Sequence, residues 1–448
     1  MSLRSSPPWA LWLGGLVGAG YGALFAWTVS TNEYNAWGSL LWLPVIVVIN
    51  VWLIRVVTRE RGRWLAGLML AAFVAKMLGS MARYLVAYLV YDRASDAERY
   101  NIYAAYNYQQ WRAGHVDLLL SVCEGTHNME LLTTAIYAIV GPSPIVGFAA
   151  YACLAFWGAY LLYRAFCLAV PDGHHKRYAY LVFFLPSMIF WPSSIGKESW
   201  LLLFIGVTAL GAARLFTRQG HSLWLLVIGA AGTVVIRPHM SVLLFGALLV
   251  AQLFRPTSRK GTDVLAKFAG LAVMGVAAVI FVRASLEMLG LDDLSFAAVS
   301  DGLDMAAGRT TVGGSEFEAV PITSPWSFVV ATSTILFRPF LFEAHNAQML
   351  IQALESTALL VLAIRWRASV RHAFGMLRNN PYVAFAFVYV AGFIVAFSGF
   401  SNFGIVARQR VLMLPFFLLL LALPDRPPTD PRIAARRRRG GRILTHAR

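Results

Sequence analysis

Apolar runs long enough to cross a bilayer recur from one end of this chain to the other, separated by short polar stretches. The runs are continuous rather than alternating, which predicts helices and argues against a lipid-facing β-barrel. At about 20 residues per crossing, spans are predicted near 9–29, 38–55, 64–90, 145–169, 178–192, 198–217, 222–237, 240–254, 266–284, 345–364, 382–400 and 410–424. Two more apolar segments, 129–142 and 325–342, are shorter than a crossing requires.

Loop charge decides how those two segments are read. If both crossed, the basic loops at 174–177, 214–218 and 255–260 would face outside, against the positive-inside tendency. If both are re-entrant or lie along the outer surface, those loops are all cytoplasmic, together with 365–371 and the arginine run 436–439. The sequence therefore predicts an all-α polytopic membrane protein with about twelve spans, both termini cytoplasmic, and re-entrant or surface helices on the extracytoplasmic side. One integral membrane domain covers 1–424, with outer parts at 91–142 and 285–345. Residues 425–448 read as a basic, disordered cytoplasmic tail held near anionic lipid heads.

Composition agrees with that class. Hydrophobic residues make up 58% of the chain and charged residues 13%, and mean hydropathy is +0.62. A net charge of +16 would suggest nucleic acid in a soluble protein. Here the basic loops absorb it, so no nucleic-acid partner is expected. Three cysteines, Cys123, Cys153 and Cys167, imply no disulfide framework. Residues 9–29 lack a small-residue cleavage site and read as the first span rather than a signal peptide. The lack of a eukaryotic targeting signal points to a bacterial inner membrane.

Charged groups beside apolar runs are costly and stand as functional candidates. Ser95 followed by Glu98 reads as a capping box. It opens a surface helix with Asp96 in the first turn, where the helix dipole favours a carboxylate. Asp is commonplace at such positions, so a structural role stays open. The hairpin 190–199 carries Lys197 and Glu198 with two hydroxyls, groups suited to a phosphate; an ion pair within the hairpin is the alternative. Arg237-Pro238-His239 fixes an arginine and an imidazole in a tight turn. Arg338, Glu343 and His345 form the densest polar group, either as an ion pair or as part of a site. Glu343 and His345 could be metal ligands, but two residues do not make a site, so a divalent metal is left open and no other cofactor is implied. Arg408 and Arg410 enter an apolar helix with no acid near them in sequence, which suggests an anion.

The placement of Lys197, Arg237, His239, Arg338, His345, Arg408 and Arg410 at one predicted membrane depth suggests a shared lipid-linked phosphate. Three passages resemble the multi-span GT-C glycosyltransferases, including the protein-mannosyltransferase-like and aminoarabinose-transferase-like enzymes. They are Asp96-Ala97-x-x-Tyr100 with the later Gly141-Pro142-Ser143, the hairpin from Pro186 to Glu198, and Arg410 to Pro415. The resemblance implies a polyprenyl-phosphate- or polyprenyl-diphosphate-linked sugar donor, and a glycan, lipid or protein acceptor outside the cytoplasm. It also implies Asp96 as the catalytic acid group. The chain departs from that family in placing this loop after the third span and in having Ala97 after Asp96, which makes Glu343 a second candidate. Wzy-type polysaccharide polymerases are similar in layout. A transporter or flippase of lipid-linked substrate, with Lys76 at its centre, and a non-catalytic envelope subunit are the readings from other classes.

Overall fold

The structure is a computed structural model that describes residues 8–120, 124–255, 261–289, 317, 322 and 324–425. The acidic stretch 292–304, the glycine pair at 313–314, Cys123 and the basic tail beyond Asp425 lie outside these residues. Among the described residues the protein is 80% helical. In chain order the helices are α1 (Pro8–Ser30), α2 (Tyr34–Thr58), α3 (Arg63–Leu85), α4 (Asp96–Arg112), α5 (Gly125–Val140) and α6 (Pro144–Ala169). There follow α7 (His175–Phe184), α8 (Pro186–Phe190), α9 (Lys197–Phe216), α10 (Ser222–Val234), α11 (Pro238–Leu253) and α12 (Gly261–Leu289). The last six are α13 (Pro325–Phe337), α14 (Ala347–Arg365), α15 (Arg367–Met376), α16 (Pro381–Phe397), α17 (Phe403–Arg410) and α18 (Leu414–Leu421). A π-helical turn, Val86–Val90, extends α3.

Five helical stretches among the described residues are long and apolar enough to cross a membrane: Tyr34–Thr58, Arg63–Val90, Pro144–Ala169, Lys197–Phe216 and Ala347–Arg365. Two bent pairs raise the number to seven if each is one span: α15 with α16, bent by 113°, and α17 with α18, bent by 64°. Proline explains where several predicted spans shorten or break, because it lacks an N–H and clashes with the preceding turn. Pro186 divides the predicted 178–192 span into α7 and α8. Pro415 sits at the start of α18, where the predicted 410–424 span bends. The two short apolar segments are helices α5 and α13, of 16 and 13 residues. At 1.5 Å per residue, α13 reaches about 20 Å, less than a hydrocarbon core.

The chain divides into two compact units, Met1–Phe156 with Ile189–Trp200, and Trp157–Met188 with Leu201–Arg448. In the first, α4 packs along α5, and Tyr137 at their interface donates to Asn101 Oδ1 at 2.7 Å. Asn35 at the start of α2 takes the hydroxyl of Ser143 at 2.9 Å and the N–H of Ile145 at 3.3 Å, which satisfies the beginning of α6. In the second unit, Gly158 and Gly206 let two helix backbones meet with no side chain between them, the small-residue contact common where helices pack in lipid.

Gly141 ends α5 with φ 80° and ψ 171°, a region open essentially to glycine alone. A Cβ there would also run into the Tyr34 ring. Gly141→Ala is therefore expected to cost about 1–3 kcal/mol. Thermal unfolding of the detergent-solubilised protein checks this, and an unchanged midpoint would count against the packing described.

Candidate functional site

In the second unit three helix ends bring together most of the arginines singled out from the sequence. Arg237 stands at the N-cap of α11, with Pro238 in the first turn, the position where a missing N–H costs nothing. Its Nη1 donates to Gln409 Oε1 on α17, a neutral acceptor, so that contact does not cancel its charge. His239, two residues on, is half-buried, and so is Arg408, beside Gln409 on α17. Asn402 holds the start of α17 by accepting the N–H groups of Gly404 and Ile405 at 2.9 and 3.2 Å.

Arg338 follows the end of α13. Its Nε donates to both oxygens of Glu343 at 2.9 and 3.2 Å, and its Nη2 donates to Oε1. The guanidinium lies over Phe317 and Phe403, 4.8 and 5.0 Å from the ring centroids, close enough for cation–π attraction. Glu343 also takes the Phe340 N–H at 2.7 Å. Burial acts to raise the Glu343 pKa, but the hydrogen bonds from Arg338 and Phe340 and the charges of Arg338 and His345 outweigh it and hold the carboxyl below its ordinary value. His345 itself is exposed. Among the described residues no three His, Cys, Asp or Glu side chains gather in a way that could hold a metal ion.

Arg410 is wholly buried, at 0% exposure. Its Nη1 donates to the carbonyls of Leu336 and Arg338 at 2.8 and 3.3 Å and to Ser356 Oγ at 3.3 Å. Its Nη2 lies 3.8 Å from Glu355 Oε1. The other carboxylate oxygen of Glu355 accepts the Ser187 N–H at the start of α8. The anion nearest Arg410 is thus the chain's own Glu355, supplied by α14. The sequence reading passed over Glu355, although an acid inside an apolar helix is a functional signal in itself. Four arginines, Arg237, Arg338, Arg408 and Arg410, stand here with two glutamates, Glu343 and Glu355, which leaves these named groups with two positive charges. Charges held in half-buried positions are less screened by salt than those on an open surface, so the group is suited to an anion.

The first unit holds the other candidates. Ser95 caps α4 by accepting the Glu98 N–H at 3.4 Å. The Glu98 carboxylate turns inward instead of back to Ser95, accepting the Tyr88 hydroxyl and the Asn101 amide. Asp96 is exposed in the first turn of α4. Lys197 is half-buried and donates to Thr126 Oγ1 at 2.9 Å. Beside it, Glu130 joins Arg99 and His127, a group that the sequence reading also passed over. Lys76 is buried in α3, and the Arg83 guanidinium lies over Phe190 and Trp191.

No family model matches this chain, and no curated protein or solved structure matches it either. The residues themselves therefore carry the functional argument.

Two consequences can be measured. Glu355→Gln leaves Arg410 as a buried charge without its counter-ion, which is expected to cost about 3–5 kcal/mol, whereas Glu355→Gln with Arg410→Met removes both charges and recovers most of that loss. Unfolding midpoints of the two variants check the ordering. Glu343 has a folded value below its unfolded one, so its pair with Arg338 contributes fully above the unfolded value and is lost as pH falls through the depressed one. Limited proteolysis between Arg338 and Asn346 should stay slow into the acid range in the wild type, and be fast at every pH in Glu343→Gln.

Proposed function

We propose that this protein is a membrane glycosyltransferase that moves a sugar from a polyprenyl-phosphate or polyprenyl-diphosphate donor to an acceptor on the extracytoplasmic face, in cell-envelope glycan assembly. One observation carries the reading: in the second unit Arg237 donates to Gln409 on the helix that also carries Arg408 and the buried Arg410, and Arg410 in turn donates to the Arg338 carbonyl. A phosphate is the chemistry such a group recognises, since guanidinium donors match phosphate oxygens two at a time. An apolar helical setting supplies the place for a polyprenyl chain. Positive charge near the bridging phosphate also stabilises it as it leaves the sugar. The three passages that resemble GT-C enzymes point the same way. The wider picture is an inner-membrane protein of about twelve spans with cytoplasmic termini.

Arg410 acts from within this site as a positioning residue, because it is buried and holds the Arg338 carbonyl. Arg237 and Arg408 are the direct phosphate contacts. A second reading, a transporter of lipid-linked substrate, is favoured by the buried Lys76 and Glu355 inside helices long enough to span.

In proteoliposomes carrying polyprenyl-phosphate-linked hexoses, Arg237→Ala and Arg408→Ala should each weaken donor binding about tenfold or more, with expression retained. Donor affinity equal to wild type in both variants would overturn the site. Translocation of intact donor without release of polyprenyl phosphate would favour transport.

A further inference from the structure

Helix α15 belongs to the second unit and supplies nothing to the arginine group above. It is bent by 113° from α16, so beside a crossing helix it runs nearer the membrane plane than the membrane normal. Its inner face is gripped by the residues that follow α18. Ser369 and Ala373 are buried. Ser369 Oγ donates to Asp425 Oδ1 at 2.7 Å, and His372 Nδ1 donates to the Pro424 carbonyl at 2.7 Å. Arg177 donates to the Leu421 carbonyl at 3.0 Å, lies 3.8 Å from Asp425 and covers the Trp366 ring, 4.3 Å from its centroid. The acid at this end of the unit is therefore already engaged by Ser369 and Arg177.

The opposite face carries a stripe of charge. Arg367, Arg371, Phe374 and Arg378 follow one another at steps of four, three and four residues, the spacing that keeps side chains on one side of a helix. Arg378 lies in the turn just past the end of α15. All four are exposed, Phe374 at 57%. No Asp or Glu occurs anywhere from Ser356 to Pro424, and among the described residues none of these three arginines is in an ion pair. Three residues before Arg367 comes Ile364, exposed with Val361 on α14, a helix long and apolar enough to cross a membrane. The stripe thus begins where apolar side chains that lipid would cover leave off. An acidic protein surface would complement the arginines but not the bare Phe374 ring between them. A headgroup layer suits both, since guanidiniums match phosphate oxygens and an aromatic ring settles at the boundary with the acyl chains. We propose that this stripe is a docking surface for anionic phospholipid, with Arg367, Arg371 and Arg378 on the lipid phosphates and Phe374 between headgroups. The inference is independent of the glycosyl-transfer reading. Lipid held there steadies the bend between α15 and α16 and, through Ser369 and His372, the end of α18.

The test uses the full-length protein in lipid nanodiscs containing phosphatidylglycerol or phosphatidylcholine with a photoactivatable headgroup, and mass spectrometry to locate the crosslinks. Peptides covering 366–378 should be labelled about fivefold more, or better, by the anionic lipid than by the zwitterionic one, and the excess should fade as salt rises. Each arginine changed to glutamine should lower that labelling about fivefold, and Arg367→Gln with Arg371→Gln and Arg378→Gln should abolish the excess. Headgroup labelling elsewhere in the chain should not change, which separates the stripe from the other basic segments. Lysine at the same three positions should keep most of the labelling. In detergent, phosphatidylglycerol should raise the unfolding midpoint of the wild type and leave that of the triple glutamine variant unmoved, the two starting from the same value without lipid. Equal labelling of 366–378 by both lipids, or wild-type labelling in the triple glutamine variant, overturns the proposal. Binding of soluble polyglutamate through these arginines, with no headgroup labelling, overturns it in favour of an acidic protein partner.

Discussion

The second unit depends on hiding one guanidinium. Arg410 is taken wholly out of solvent, and an isolated charge in such surroundings is prohibitive. Its burial is tolerable because two backbone carbonyls at the end of α13 and a serine hydroxyl and a glutamate that are neighbours on α14 meet it. Each of those groups has needs of its own. The Leu336 and Arg338 carbonyls lie at the end of α13, where no further helical turn is present to receive them. Glu355 would be as costly alone as Arg410. Their meeting at one point ties α13, α14 and α17 together, and through the Ser187 N–H it adds the start of α8.

A division of labour among the cations follows. Arg410 and Arg338 have carboxylates of the chain beside them, and their positions are fixed by those partners. Arg237 donates to the Gln409 amide, and Arg408 is the neighbour of Gln409 on the same helix. The charges held by Glu343 and Glu355 build the frame. Without those carboxylates the buried guanidiniums would repel one another and the group would come apart.

Much of the local structure was legible from the sequence. Ser95 marks the start of α4 and Pro238 the start of α11, because capping and proline rules act over three or four residues. The polar clusters beside apolar runs were legible for the same reason. Partnerships were not. Nothing near Arg410 in sequence announces Glu355, which lies on another helix, and the expectation of an external anion followed from looking only at neighbours. Glu98 fits a capping box by spacing, yet its carboxylate is drawn away by Tyr88 and Asn101, contacts that exist only after α3 and α4 have packed. The pairing of His127 with Glu130 is local, and was missed because the short apolar segment was judged by its length rather than by its polar face. Span number was the hardest to read, since hydropathy cannot tell a crossing helix from a pair bent at Pro381 or Pro415.

The π-helical turn over Val86–Val90 has a bearing on kinship. Such a turn houses one residue more than an α-helix would, and one residue more rotates everything beyond it by about 100°. Tyr88 sits inside this turn and reaches Glu98 from there. A homologue one residue shorter between Leu85 and Tyr91 would close as an ordinary helix and present some other side chain to that carboxylate. Segment length at this point therefore sets which side chain meets the Glu98 carboxylate.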